Sequence, residues 1–142
     1  MKNMTMYRHL AAAAMLAIPL AAAGIDQGFA KGKSCKALSV IDPDNDGSLD
    51  LAEAKKAAGE VFDRLNKDKG KDTTLDRREL RGRLSTKELA KADPDKDGTI
   101  DKAEYLAAVE ARFKAANGDK DATIECKELG TRAGQALLRL LK

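Results

Sequence analysis

Large apolar residues recur from residue 38 to residue 124 in register with acidic segments. Leu38, Phe62, Leu89 and Phe113 each stand four residues before the start of such a segment. Ile41, Leu65, Ala92 and Ala116 stand one residue before it. Two positions three residues apart share one face on a 3.6-residue period, so each pair predicts the inward stripe of an entering helix. A third apolar position, Leu49, Leu75, Ile100 or Ile124, lies four residues before the last Glu of each segment. It predicts a short β bridge between paired loops. The intervening stretches 54–65, 80–92 and 105–116 are rich in Ala, Leu, Lys and Glu and predict helices. Within 80–92, Gly82 ends one short helix, and Ser85 with Glu88 forms a capping box for the next. AGQALLRLLK, 133–142, predicts a terminal amphipathic helix.

The amino-terminal pattern is different. Residues 1–9 carry Lys2, Arg8 and His9 and no acid, and 10–23 are apolar without a charge. That is a secretory signal, too short for the about 20 residues of a transmembrane helix. Cleavage after Ala23 is expected, with Ala30 as the alternative. Residues 1–23 are then the signal, 24–34 a flexible segment, and 35–142 one domain with four loops. The chain is therefore expected to be exported, with no membrane association after cleavage.

Composition narrows the chemistry. The chain has 142 residues, 26 Lys and Arg, 23 Asp and Glu, one His, two Cys and no Trp. Its sole His, His9, lies in the signal, so a mature chain has no Ser-His or Cys-His pair and no His-containing zinc site. An enzyme is not expected. Removing Lys2 and Arg8 brings the charge close to neutral, with basic and acidic residues interleaved, which argues against nucleic acid. In an oxidising compartment Cys35 and Cys126 are either bridged or two unpaired thiols. A domain with so few large apolar groups needs a metal, a disulfide or a partner.

The acids carry the most specific signal. The pattern D-x-[DN]-x-[DN]-G-x5-E, a calcium-type loop, is matched in full by Asp42, Asp44, Asp46, Gly47 and Glu53, and again by Asp93, Asp95, Asp97, Gly98 and Glu104. A hard cation takes six to eight oxygens, and alternate residues of a tight turn point carboxylates inward. Ser48 and Thr99, at position seven, add a backbone carbonyl. Glycine at position six permits positive φ. We number these loops one and three. Loop four offers Asn117, Asp119, Asp121, Thr123, Glu125 and Glu128, with Ala122 at the glycine position at a cost of roughly 1 kcal/mol in left-handed geometry. Weaker binding is expected there.

Loop two has two alignments. One starts at Asp68, placing Gly70 at position three and Thr73 at position six. The other starts at Asn66 and carries a two-residue insertion. Its candidate ligands are Asn66, Asp68, Asp72, Thr74, Asp76 and Glu79. Lys67, Lys69, Lys71, Arg77 and Arg78 offset their charge, so it is either a weak site or a structural partner loop.

Three features depart from ordinary calcium loops. Pro43 and Pro94 occupy position two. An acid occupies position nine, as Asp50, Asp76, Asp101 and Glu125. The spacers between loops are short. With ELRGRLS (79–85), EYLAAVEARFKAAN (104–117) and AGQALL (133–138), the exported portion resembles lanmodulin, a family of periplasmic lanthanide-binding EF-hand proteins. The resemblance implies an all-α, compact helical bundle of four EF-hand motifs with unusually short inter-loop helices. It also implies selective binding of lanthanide(III) ions over Ca2+ with metal-coupled folding. Ligand positions carry over to Asp42, Asp44, Asp46, Ser48, Asp50 and Glu53, and to Asp93, Asp95, Asp97, Thr99, Asp101 and Glu104. Lys67 and Gly118 replace proline in the other two loops, and those loops lack the glycine at position six. The alternative function is an exported calcium buffer or sensor. The partners are metal ions, with a protein that takes part in metal delivery as a further possibility.

Overall fold

The structure, a computed structural model, describes residues 35–67 and 73–142. The signal, both cleavage positions and the 24–34 segment lie outside the described residues.

Two helices of 15 residues form the centre, α1 (Leu51–Leu65) and α3 (Lys102–Ala116). Each starts at a capping box, Asp50 with Glu53 and Asp101 with Glu104, which satisfies amide donors that a helix amino terminus leaves unpaired. α1 buries Ala54, Ala58, Val61, Phe62 and Leu65, spaced three and four apart. α3 answers with Tyr105, Val109, Phe113 and Ala116. The Phe62 and Tyr105 rings meet edge to face with centroids 5.7 Å apart. α2 (Thr86–Ala92) and α5 (Arg132–Leu138) pack on α3, and the four-residue α4 (Cys126–Leu129) packs on α5. The Arg112 guanidinium of α3 binds Glu88 of α2 at 2.8 Å and the Ala136 carbonyl of α5 at 2.6 Å, joining three helices.

β1 (Ser48–Asp50) and β2 (Thr123–Glu125) form an antiparallel pair with Ser48 opposite Glu125, Leu49 opposite Ile124 and Asp50 opposite Thr123. Leu75 and Ile100 exchange both backbone hydrogen bonds, at 2.7 and 3.0 Å. Loop one is therefore paired with loop four, and loop two with loop three. All four bridge residues are fully buried. The repeated apolar residue serves the sheet and the core at once.

The architecture overturns the expectation of an all-α bundle of four EF-hand motifs. Among the described residues the fold is mixed, with five α-helices and a two-stranded antiparallel sheet. The physical reason lies in the segments that flank the loops. Loop one is entered by a 3-10 turn of three residues, Leu38–Val40, and loop four is left by only four helical residues. Within 80–92 the break at Gly82 and the second helix behind the Ser85–Glu88 capping box form as expected, but the short helix before Gly82 does not, with Arg81 and Gly82 at positive φ, 47° and 75°, so only 86–92 is helical. Leu84 is buried there, and Leu89 is only partly covered. The terminal helix stops at Leu138. Leu140 and Leu141 beyond it are still buried, and the Tyr105 hydroxyl donates to the Leu140 carbonyl at 2.8 Å.

Cys35 and Cys126 are bonded, with Cα atoms 5.7 Å apart and a sequence separation of 91. Among the described residues no helix is long and apolar enough to cross a membrane.

Candidate metal centre

Loops one and three are built alike, atom by atom. Each begins where a short helical element ends: the Asp42 N–H donates to the Leu38 carbonyl at 2.9 Å and the Asp93 N–H to the Leu89 carbonyl at 3.0 Å. The chain then folds back on the first carboxylate. Gly47 N–H donates to Asp42 Oδ2, and Gly98 N–H to Asp93 Oδ2, both at 3.0 Å. Asp44 and Asp95 accept from the N–H groups of Asp46 and Asp97 at 3.2 and 3.3 Å. Asp46 accepts from the N–H and hydroxyl of Ser48 at 2.8 and 2.7 Å, and Asp97 from those of Thr99, both at 2.7 Å. These bonds close the loop through side chains, as Asp and Asn do in tight turns.

Asp42, Asp44 and Asp46 form one group that could hold a metal ion, their ligand oxygens all within 4.8 Å of one another, and Asp93, Asp95 and Asp97 form a second. Asp42 and Asp93 are each only 5% exposed, and one oxygen of each, Oδ1, is buried without a hydrogen-bond partner. A buried carboxylate oxygen with no donor costs free energy unless a cation compensates it. The donor set is hard and anionic, which fits a hard oxygen-seeking ion.

The electrostatics carry the mark of crowded negative charge. In loop one, burial pushes the Glu53 carboxyl up, and the charges of Asp44, Asp50 and Asp42 add to the rise. The Asp46 N–H draws Asp44 down, but the adjacent Asp42 carboxylate, burial and the charge of Asp46 leave it raised. In loop three, the adjacent Asp93 carboxylate raises Asp95. The Asp101 N–H lowers Glu104, yet burial and Asp101, Asp95 and Asp93 leave it raised. Asp93 is opposed by burial but ends lowered, because Gly98, Lys96 and Asp97 N–H groups and Asp95 hydrogen-bond its ionised form.

Glu53 and Glu104 are not in the two three-acid groups. Each accepts from the position-nine N–H, of Asp50 or Asp101, at 2.9 Å and so caps the helix it opens. Asp50 and Asp101 return the bond to the Glu53 and Glu104 N–H groups, both at 2.7 Å. In this state, Asp50 and Asp101 cap helices.

The position-two residue separates the four loops. In loop four Gly118 N–H donates to Glu128 Oε1 at 2.6 Å, and in loop two Lys67 N–H donates to Glu79 Oε1 at 3.1 Å. Pro43 and Pro94 have no N–H to offer. The twelfth-position glutamates of loops one and three therefore accept only the position-nine N–H and lack the second backbone donor that Glu128 and Glu79 have.

Loop four holds its acids differently. Asn117 Nδ2 donates to the Asp121 carbonyl at 2.6 Å, while its Oδ1 is buried without a partner. Asp119 accepts from Asp121 N–H at 3.3 Å, and Asp121 from Thr123 N–H at 2.8 Å. The Glu125 N–H donates to Glu128 Oε2 at 3.1 Å. Ala122 does not take positive φ, so the left-handed cost expected at this position is avoided. Lys120, at position four, takes φ 63°, as the position-four residues of loops one and three do.

In loop two, Asp68 and Asp72 lie outside the described residues. Asn66 stands where the other loops start, its N–H donating to the Phe62 carbonyl at 2.9 Å as Asn117 N–H donates to Phe113. Its Nδ2 donates to the Thr74 carbonyl at 3.4 Å. Asp76 and Glu79 reproduce the helix-cap exchange, with bonds of 2.8 and 3.1 Å.

Sequence reasoning missed position four. Asn45, Lys96 and Lys120 take φ of 57°, 61° and 63° there. Asn tolerates this region, but the lysines carry no local signal for it. Their conformation follows from closing the loop around the first carboxylate.

No family model matches the chain, and no curated protein matches it significantly.

Proposed function

We propose that this chain is an exported metal-binding protein that takes up trivalent lanthanide ions in preference to calcium, with loops one and three as the principal sites. The observation that carries the reading is the pair of buried first-position aspartates, each with one oxygen unpartnered and each in a group of three acids whose ligand oxygens lie within 4.8 Å of one another. The ligands would be Asp42, Asp44, Asp46, the Ser48 carbonyl and Glu53, and likewise Asp93, Asp95, Asp97, the Thr99 carbonyl and Glu104, with Asp50 and Asp101 beside them. Attraction scales with the product of charges, so each added carboxylate favours a trivalent over a divalent ion. An ion would also remove the mutual repulsion that raises Asp44, Glu53, Asp95 and Glu104, so binding and folding would be coupled. The motif resemblance to lanmodulin supports the choice of ion. The role is uptake or handover of the ion and not catalysis.

The test is a titration of the metal-free protein with buffered La3+ and, separately, buffered Ca2+, followed by far-ultraviolet circular dichroism. Helix gain at La3+ activities many orders of magnitude below those needed for Ca2+ is expected. Equal responses at similar activities overturn the lanthanide preference and leave an exported calcium-binding protein. No response to either ion overturns metal binding itself.

A further inference from the structure

Among the described residues, loop one and loop four depend on the two shortest helical elements that flank a loop, while loop two is left through a turn with no helix. Loops two, three and four are entered by α1, α2 and α3, of 15, 7 and 15 residues, but loop one is entered by a 3-10 turn of 3 residues. Loops one and three are left through 15-residue helices, but loop four is left through the 4 residues of α4. A single turn is unstable alone, because nucleation orders several residues for one hydrogen bond. The three-residue strands β1 and β2 join these loops, and a ladder that short is also marginal by itself.

The disulfide links these two weak elements. The Cys35 carbonyl accepts from the Leu38 N–H at 2.9 Å and the Ser39 N–H at 3.3 Å. The Leu38 carbonyl then accepts from Ile41 at 2.8 Å and from Asp42 at 2.9 Å. Two hydrogen-bonded turns thus run from Cys35 to the first ligand of loop one. At the other end, Cys126 is the first residue of α4, directly after Glu125 and two residues before Glu128. Its carbonyl accepts from the Gly130 N–H at 3.1 Å. Both cysteines are partly buried and pack on the core.

We propose that the Cys35–Cys126 bond is a positioning device for metal binding at the paired loops one and four, holding Asp42 and Glu128 in place, while loop three does not depend on it. The inference rests on the metal-binding reading. With the bond absent, the 3-10 turn and α4 fray, and an incoming ion must order their ligands itself. Loop three keeps α3, its capping box and the Leu75–Ile100 bridge, none of which contains either cysteine.

The experiment is a chelator-buffered Tb3+ luminescence titration of two reporter proteins. Glu79→Gln in both removes loop two from the signal. The first adds Glu104→Gln and reads loops one and four. The second adds Glu53→Gln and Glu128→Gln and reads loop three. Each is compared with and without Cys35→Ser/Cys126→Ser. Loss of an outer positioning group costs about 10- to 100-fold in metal affinity, so the first reporter is expected to weaken at least about tenfold and the second less than about threefold. Retained Tb3+ binding by the second reporter shows that the serine variant still folds. An unchanged first reporter, or an equal fall in both, overturns the assignment, because a general stabiliser acts on all loops alike. Failure of both reporters with the bond intact overturns the metal-binding reading itself.

Discussion

Position six of the loops isolates what one residue contributes. Gly98 has φ of +87°, and a Cβ there would meet nothing within 4 Å. The cost of a side chain is therefore purely conformational. Gly98→Ala is expected to destabilise the protein by about 1–2 kcal/mol, read from the urea midpoint at constant slope. It should weaken Tb3+ binding at loop three and leave loop one unchanged. Tyr105 tests a different kind of contact. It is fully buried, desolvation raises its hydroxyl to about 12, and that hydroxyl satisfies the Leu140 carbonyl at 2.8 Å. Tyr105→Phe leaves a buried carbonyl without its partner and is expected to cost about 1–3 kcal/mol. The expected signature is a lower urea midpoint with the apolar packing against Phe62 retained.

At the scale of elements, α5 approaches the α4 region closely at Gly134. A Cβ at Gly134 would run into the backbone of Glu128 and Leu129, which no side-chain adjustment can relieve. Gly134→Ala is expected to cost about 3 kcal/mol as an overpacked contact and to displace Glu128 with it. Thermal unfolding measures the first effect, and a Tb3+ titration of loop four the second. The disulfide acts between elements too. Closing a segment of 91 residues lowers the entropy of the unfolded chain, a stabilisation of about 4–5 kcal/mol in the chain-entropy model. The exposed Lys102–Asp63 pair contributes little by comparison, because water screens it.

Across the whole molecule, two sets of carboxylates oppose each other. Asp44, Glu53, Asp95 and Glu104 have raised pKa values, so the metal-free fold binds protons before the unfolded chain does as pH falls. Their destabilisation is fully present above the raised values and is relieved as pH drops toward the ordinary carboxylate range. Glu88 behaves oppositely. Hydrogen bonds from Ser85, followed by Arg112, hold it down to about 2, and Lys114 and Lys55 hold Glu110 down to about 2. Their contribution is complete above 4.5 and is lost as pH falls toward about 2. The chelator-treated protein is therefore expected to reach its highest melting temperature on the acid side of neutrality, with decline on both sides. Lanthanide-loaded protein should instead lose stability steadily on acidification, because protons compete for the ligands. Calorimetry across a pH series, with and without La3+, checks both slopes.

The acid spacing and the apolar residues in register with it were enough, as sequence, to locate loops one and three and to mark Leu49, Leu75, Ile100 and Ile124 as bridge positions. Those features are local: a turn that gathers carboxylates needs acids at alternate residues and a glycine at position six, and any chain with that pattern reports it. The capping residues Ser85 and Glu88 were legible for the same reason. Other properties depend on residues distant in sequence. Which loops pair, that Cys35 meets Cys126, and that Arg112 joins three helices are decided when α1, α3 and α5 bury their apolar stripes together. The mixed architecture is decided there too, because packing, and not propensity, sets how far each short flanking segment continues as helix. The unpartnered oxygens of Asp42 and Asp93 belong to both levels. Sequence places the aspartates, but only tertiary burial removes the water that would otherwise satisfy them.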